Sequence, residues 1–348
     1  MAKINARFTE ELKAYGSDNF NACYNCGTCT AVCSLSTEKD SFPREMVRLS
    51  ALGREDEILS SLKPWSCYYC GECSTHCPQS ANPGELMMSL RRYLTARYDW
   101  TGFSGKLYKS LPVSLTAFVV VLLGVIYFAF NVGFDTETML HFGHYFEMTA
   151  IGLVSLFILL PNVIRMWYFT IKKPGVKLTF DDYLKSSKEL IIHAFTQKRA
   201  LGCDDNQFRW FEHFVLVIAY LSLLFTSVFL DWFGAENLFV VVLGYVESLI
   251  ILVVTVHFVS GRINKERPSN NRSQPSDWFF VIWLLLMGLT AFLVRLFIDL
   301  GMPEVNQWLY PVHLTVLVQW ALIIVPFGKW THFLYRSFAM YFAKLKEK

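Results

Sequence analysis

Residues 23–33 read CYNCGTCTAVC and residues 67–78 read CYYCGECSTHCP. Written as spacing, the first is Cys23-x2-Cys26-x2-Cys29-x3-Cys33, and the second repeats it as Cys67-x2-Cys70-x2-Cys73-x3-Cys77-Pro78. Three thiolates at intervals of three residues can wrap one cubane from a single loop, and the fourth cysteine is carried away to the other cluster. The pattern predicts two [4Fe–4S] clusters, one on Cys23, Cys26, Cys29 and Cys77, the other on Cys67, Cys70, Cys73 and Cys33. Gly27 and Gly71 fall inside the loops, where a missing Cβ lets the backbone approach inorganic sulfide. Structural zinc prefers four ligands in two pairs, and disulfides need an oxidising compartment, so both fit two runs of four poorly. Cys203, the ninth cysteine, reads as an inert thiol.

Outside these motifs the composition divides the chain. Hydrophobic residues make up 53% and charged residues 18%, against about 25% charged in ordinary soluble domains. Disorder is excluded and a plain cytosolic enzyme is disfavoured. Residues 1–110 hold eight of the nine cysteines, and residues 111–337 hold nearly all the long apolar runs. A net charge of +3 with no basic run gives no reason to expect nucleic acid as a partner. Six apolar segments lie near 111–130, 147–171, 210–231, 236–259, 277–299 and 309–335. Each can cross ~30 Å of hydrocarbon at ~1.5 Å per helical residue. The expected fold is all-α, with residues 1–105 a helical two-cluster domain and residues 106–348 a six-helix transmembrane bundle.

Lys and Arg are concentrated in the 172–209 and 260–276 connections and absent from 131–146, 232–235 and 300–308. The positive-inside bias puts both termini, the cysteine head and the long inner loop 172–209 in the cytoplasm, with the chain in the inner (cytoplasmic) membrane. The first ten residues lack the apolar stretch of a signal peptide, in keeping with that orientation. Residues 181–198 place acidic residues first and basic residues last around Leu184, Leu190 and Ile191, which reads as a surface or interfacial helix.

Clusters pass single electrons, so the head calls for a one-electron carrier in the bilayer, and haem b held by histidine pairs between helices meets that need. His313 and His332 lie near opposite ends of the sixth segment, nineteen residues apart, or ~28 Å on a straight helix. His213 enters the third segment at the depth of His332, and His144 precedes the second at the depth of His313. One or two haems are expected, at His213–His332 inside and at His144–His313 outside. His257 is an alternative to His213, His141 an alternative to His144, and His193 reads as structural. On an ideal helix His313 and His332 would point about 100° apart. Pro326 therefore predicts distorted helical hydrogen bonding within 322–327. Glu247, near the middle of the fourth segment, is a candidate quinol proton acceptor, and Arg295 a candidate partner for a haem propionate. Tyr220, Tyr245, Gln319 and Trp320 are candidates to line a quinone pocket, and Arg165 can snorkel to the inner interface. The chain has no GxGxxG, catalytic triad or metal-hydrolase signature, so no substrate chemistry beyond the quinone is expected.

The head resembles the HdrC-type subunits of heterodisulfide reductases. The likeness runs through CYNCGTCTAVC, FPREMVRLSALGREDEILSS at 42–61, WSCYYCGECSTHCP at 65–78 and ELMMSLRR at 85–92. It implies a helical two-cluster ferredoxin over about residues 17–95; Ser34 stands where that family usually has proline. The later apolar segments resemble the gamma subunit of respiratory nitrate reductase and HdrE-type haem b subunits. Those have two histidines on the helix equivalent to the third segment, where this chain has His213 and, further out, apolar residues near Leu223. Head and membrane part fused in this order resemble the QmoC-type members of the quinone-interacting membrane-bound oxidoreductase (Qmo) family. That resemblance implies menaquinone, QmoA- and QmoB-like flavin and iron–sulfur partners, and electron exchange with APS reductase in dissimilatory sulfur metabolism. Two alternatives stand beside it: a haem b/iron–sulfur subunit of a membrane heterodisulfide reductase or of a sulfite-reduction-linked menaquinol oxidoreductase. A membrane anchor docking a ferredoxin domain without haem or quinone is a third, of a different class.

Overall fold

A computed structural model of the chain describes residues 4–38, 40–198, 201, 207–234, 236–267 and 270–347. Arg199, Cys203 and Pro268 lie outside these residues. Among the described residues there is no strand, only an isolated bridge between Thr37 and Asp40. The head is a set of short helices, among them Phe8–Lys13, Arg44–Ala51 and Glu55–Ser60, gathered around α1 (Pro83–Tyr98). Pro83 suits the first turn of α1, where its missing N–H leaves no ladder bond unmade. Every residue from Pro83 to Thr95 is buried, including Arg91 and Arg92, so α1 is the axis of the head rather than one of its faces.

Six helices are long and apolar enough to cross a membrane: α2 (Leu111–Asn131), α3 (Thr136–Lys172), α5 (Gln207–Val228), α6 (Leu238–Ile263), α7 (Pro275–Asp299) and α8 (Pro303–Lys346). Their exposed leucines, valines and phenylalanines face outward, as a lipid-facing surface requires. Between α3 and α5, helix α4 (Phe180–Thr196) occupies the inner connection and is started by a Thr179/Asp182 capping box. Two boundaries differ from the sequence expectation. Helix α3 begins at Thr136, N-capped by Asp135, rather than near 147, because the polar stretch HFGHYFE is helical although weakly apolar. Helix α8 begins at Pro303 rather than near 309. The outer connections are correspondingly short.

Proline shapes the two longest helices. In α3, a π-turn over Ser155–Leu159 precedes Pro161. The carbonyl of Phe157, which Pro161 cannot serve, accepts the Trp100 indole N–H at 2.8 Å. The Trp100 backbone N–H donates to Asn162 Oδ1 at 3.1 Å, and Arg165 donates to the carbonyls of Arg97 and Tyr98 at the end of α1. The head is thereby stitched to α3. In α8 the expected distortion is present: a π-turn over Trp320–Ile324, a three-residue turn Val325–Phe327, then a break at Gly328 before the helix resumes at Thr331. Gly328 is extended, and a Cβ there would stand 2.8 Å from the Ile324 carbonyl oxygen.

Two hydrophobic cores result. One lies within the bundle, among them Leu216, Ile251, Leu284, Leu314 and Trp320. The other fills the head with Phe8, Trp65, Tyr93 and Tyr98, and is completed by Met166 and Ile171 of α3 and by Tyr335, Ala339, Phe342 and Leu345 of α8. Helix α8 thus crosses the bundle and ends inside the head, with α4 laid against it through Tyr341 Oη and the Tyr183 carbonyl at 3.1 Å.

Candidate functional site

Both cysteine motifs build the same local turn. Gly27 and Gly71 have φ of 90° and 94° directly before the one-turn helices Thr28–Ala31 and Glu72–Thr75, a conformation that a side chain would strain. The turn sends Cys29 and Cys73 inward and leaves Cys26 at the surface beside the exposed Tyr24. Backbone N–H groups donate to sulfur from Tyr69 to Cys67 at 3.4 Å and from Ala81 to Cys77 at 3.3 Å.

Thiols of the two motifs act on one another. Burial raises Cys29, as do Cys23, Cys26 and Cys77. Burial pushes Cys33 up to about 11, with Cys67 and Cys70 as its thiol neighbours. Cys77 is thus among the thiol neighbours of Cys29, and Cys67 and Cys70 are among those of Cys33. Burial raises Cys73 as well, and its thiol neighbours come from both motifs: Cys67, Cys70, Cys33 and Cys29. Among the described residues, no three Cys, His, Asp or Glu converge as a site for a single metal ion.

A cavity of about 250 Å³ lies at the head end of the bundle, walled by α5, α6, α7, α8 and α1. His213 of α5 and His332 of α8 both line it, with ring centroids 6.4 Å apart. Two imidazoles sharing one metal at ~2.0 Å would have centroids roughly 6 Å apart, so these are the two residues that would hold a metal between α5 and α8. The α8 break orients His332: its Nδ1–H donates to the Lys329 carbonyl and leaves the Nε2 lone pair for a ligand. Phe280 braces the ring edge-on at 5.8 Å. The rest of the wall is apolar at Leu216, Val217, Phe258, Leu284 and Trp320 and mainly cationic, with Arg209, Arg262, Arg267, Lys329 and Arg336 beside the acidic Glu212, Glu266 and Asp277. A flat apolar macrocycle with two carboxylates, haem b, fits this donor set and this distribution of charge.

The same cavity is lined from the head by Tyr68 and Tyr69 of the second cysteine loop and by Arg91 and Arg92 of α1. Arg92 pairs with Asp277 of α7 at 2.9 Å, and Asp277 pairs with Lys329 at 2.7 Å. His257 also lines the cavity and donates its Nδ1–H to the buried carboxylate of Glu212. Sequence reasoning misses Arg91, Arg92, Asp277, Lys329 and Glu212 at this site. A charged pair inside an apolar helix, and acids and bases bordering apolar segments, are the signals that could have found them.

The other expected residues have different settings. His144 lies within α3, not before it, and its Nε2 is 3.4 Å from Asp231. His313 donates Nδ1–H to Thr290 Oγ1 at 2.8 Å, since that hydroxyl already donates to the Leu286 carbonyl at 2.7 Å. His313 therefore keeps Nε2 open, but its ring neighbour is Tyr310, not His144. Glu247 is buried beside Ser222, away from the cavity wall. Arg295 forms a two-point pair with Asp299, which also accepts from Tyr245 Oη. Gln319 is committed to Trp283 and to the Phe118 carbonyl, whereas Tyr220 and Trp320 line the cavity and are bonded to each other at 3.0 Å.

Comparison with known proteins identifies the head. The family profile of the 4Fe-4S dicluster domain matches residues 19–82. A protein of Archaeoglobus profundus that is like the C component of heterodisulfide reductase is 29% identical over 97 residues, 28% of this chain and 52% of that protein. The C component of the H2:CoB-CoM heterodisulfide,ferredoxin reductase of Methanothermobacter thermautotrophicus is 36% identical over 76 residues, 22% of this chain and 41% of that protein. The C component of the ferredoxin:CoB-CoM heterodisulfide reductase of Methanosarcina acetivorans is 36% identical over 91 residues, 26% of this chain and 34% of that protein. The chain spans about half the length of these relatives or less. No solved structure matches. The head is accordingly a domain that carries iron–sulfur clusters, joined to helices long and apolar enough to cross a membrane.

Proposed function

We propose that this chain is the membrane electron-transfer subunit of a quinone-linked oxidoreductase, joining a menaquinone pool to a cytoplasmic partner. The observation that carries the reading is the shared cavity, which is lined both by His213 and His332 of the bundle and by Tyr68, Tyr69 and Arg91 of the head beside the second cysteine loop. His213 and His332 would hold haem b, and the eight paired-motif cysteines would hold two [4Fe–4S] clusters, grouped as the spacing suggests. Bound there, these groups would supply one-electron carriers between a two-electron quinol and a soluble acceptor. Lys329 holds the His332 tautomer through its carbonyl, and the arginines of the wall would receive the propionates. The Cys67 loop borders the cavity, while Cys26 and Tyr24 reach the surface at the first loop. The first loop is thus the proposed exit to a partner. Neither His144 nor His313 faces another imidazole among the described residues, so the reading carries one haem per chain. Glu247 is the proposed acceptor of a quinol proton.

The positive inner connections favour a cytoplasmic head. The combination of parts favours Qmo-type companions, flavin- and iron–sulfur-containing subunits that exchange electrons with APS reductase. The names of the relatives favour a second reading, a component of a membrane heterodisulfide reductase. Isolation of the complex separates them: flavoprotein companions support the first, and a heterodisulfide-cleaving companion the second. The electron-transfer reading itself is tested on the purified chain. About eight cluster irons and one b-type haem are expected. His213→Ala and His332→Ala are expected to lose the b-type optical band and keep the cluster iron, and Glu247→Gln to slow quinol oxidation at full haem content. A wild-type chain without a b-type band, or clusters that stay oxidised when menaquinol is added to the intact complex, would sink it.

A further inference from the structure

Arg91 is a buried cation whose hydrogen bonds to oxygen go to carbonyls alone. Only 8% of the residue is exposed. Its guanidinium donates from Nε to the Pro64 carbonyl at 2.8 Å, and from Nη2 to the Trp65 carbonyl at 3.4 Å and to the Cys67 carbonyl. The Trp65 ring lies beneath it at 6.0 Å, and Met88 Sδ is 3.6 Å from Nη1. No carboxylate forms an ion pair with it among the described residues. Its neighbour Arg92 differs, since Arg92 has Asp277. A buried charge without a counter-charge is costly, and such groups are normally paired.

We propose that Arg91 is a positioning and potential-tuning residue whose counter-charge is the cluster held by the Cys67 loop. This inference rests on the cluster assignment above. The three carbonyls that Arg91 holds belong to the segment entering that loop, so the guanidinium fixes where the first ligand of the motif stands. Taking up one electron adds one negative charge to a cubane, with no bond made or broken. A fixed cation in a poorly solvated site favours that reduced form, and charge close to a cluster is one of the levers on its potential. Arg91 also lines the cavity that contains His213 and His332. It therefore biases the cavity-side cluster, and not the surface-side one, towards accepting an electron from the membrane.

The test is an EPR-monitored redox titration of the full complex carrying Arg91→Gln, Arg91→Met or Arg91→Lys, with iron and haem counted in each. Arg91→Gln and Arg91→Met are expected to lower the reduction equilibrium of one cluster by tenfold or more, which is about 59 mV for one electron. The other cluster and the b-type haem should keep their potentials, and Arg91→Lys should stay close to wild type. Unchanged cluster potentials in an assembled neutral variant overturn the proposal. So does a shift in Arg91→Lys equal to that in Arg91→Gln, or a shift confined to the haem, which would make a propionate the counter-charge. Loss of iron from both neutral variants overturns the tuning role in favour of a purely structural one. A wild-type complex without two clusters would instead bring down the underlying assignment.

Discussion

Arg92 and Asp277, both buried, and the partly buried Lys329 form a line of charge running from the head to the break in α8. Asp277 is its only acidic member, and it also accepts from the Gln274 backbone N–H at 3.0 Å at the start of α7. Removing one partner from a buried ionic group leaves the others uncompensated, at a cost of about 3–5 kcal/mol. Asp277→Asn is therefore expected to lower the thermal unfolding midpoint of the detergent-solubilised chain well beyond the effect of an exposed ion-pair change such as Asp181→Asn. Equal midpoints for the two variants would show that the line carries no such weight. The sequence motifs are silent on this network. Arg92 and Asp277 are 185 positions apart, and nothing in either neighbourhood names the other. The cysteines are the opposite case, because a metal cluster demands its spacing within a single loop.

The break in α8 sets the direction of His332 at the scale of the element. Pro326 is enough to foresee distortion, since proline removes a ladder donor and its ring clashes with the preceding turn. It does not foretell that Gly328 completes the break, nor that the Lys329 carbonyl then serves the His332 ring. Gly328→Ala places a Cβ 2.8 Å from the Ile324 oxygen, and backbone on both sides must shift to relieve it. The expected outcome is a chain that inserts and keeps its cluster iron but retains less than half of its b-type haem, read from the optical band per iron. Full haem content would mean that the turn tolerates a side chain and that the ring's orientation comes from elsewhere. Helix α3 makes the same point: Pro161 is visible in the sequence, but its consequence, a carbonyl released to Trp100, depends on the head being there.

Across the whole molecule, the head does not finish its own core. Tyr335, Ala339, Phe342 and Leu345 come from the far end of α8, and Met166 and Ile171 from α3. A fragment of residues 1–110 leaves Trp65 and Tyr98, both fully buried in the intact chain, without these partners. Each aromatic side chain so exposed forgoes about 1.5–3 kcal/mol of burial. The fragment expressed alone is expected to aggregate or to bind substoichiometric iron, and co-expression with residues 111–348 should restore soluble or membrane-bound iron. A stable, fully loaded monomer of the fragment would contradict this. Sequence alone determined the helical class, the six membrane-length segments and the two cysteine loops, because apolar length and ligand spacing are local quantities along a chain. Only the tertiary structure decided that His213 meets His332, that the second cysteine loop opens onto their cavity, and that the last helix belongs to both halves, because each depends on surfaces brought together from distant positions by burial.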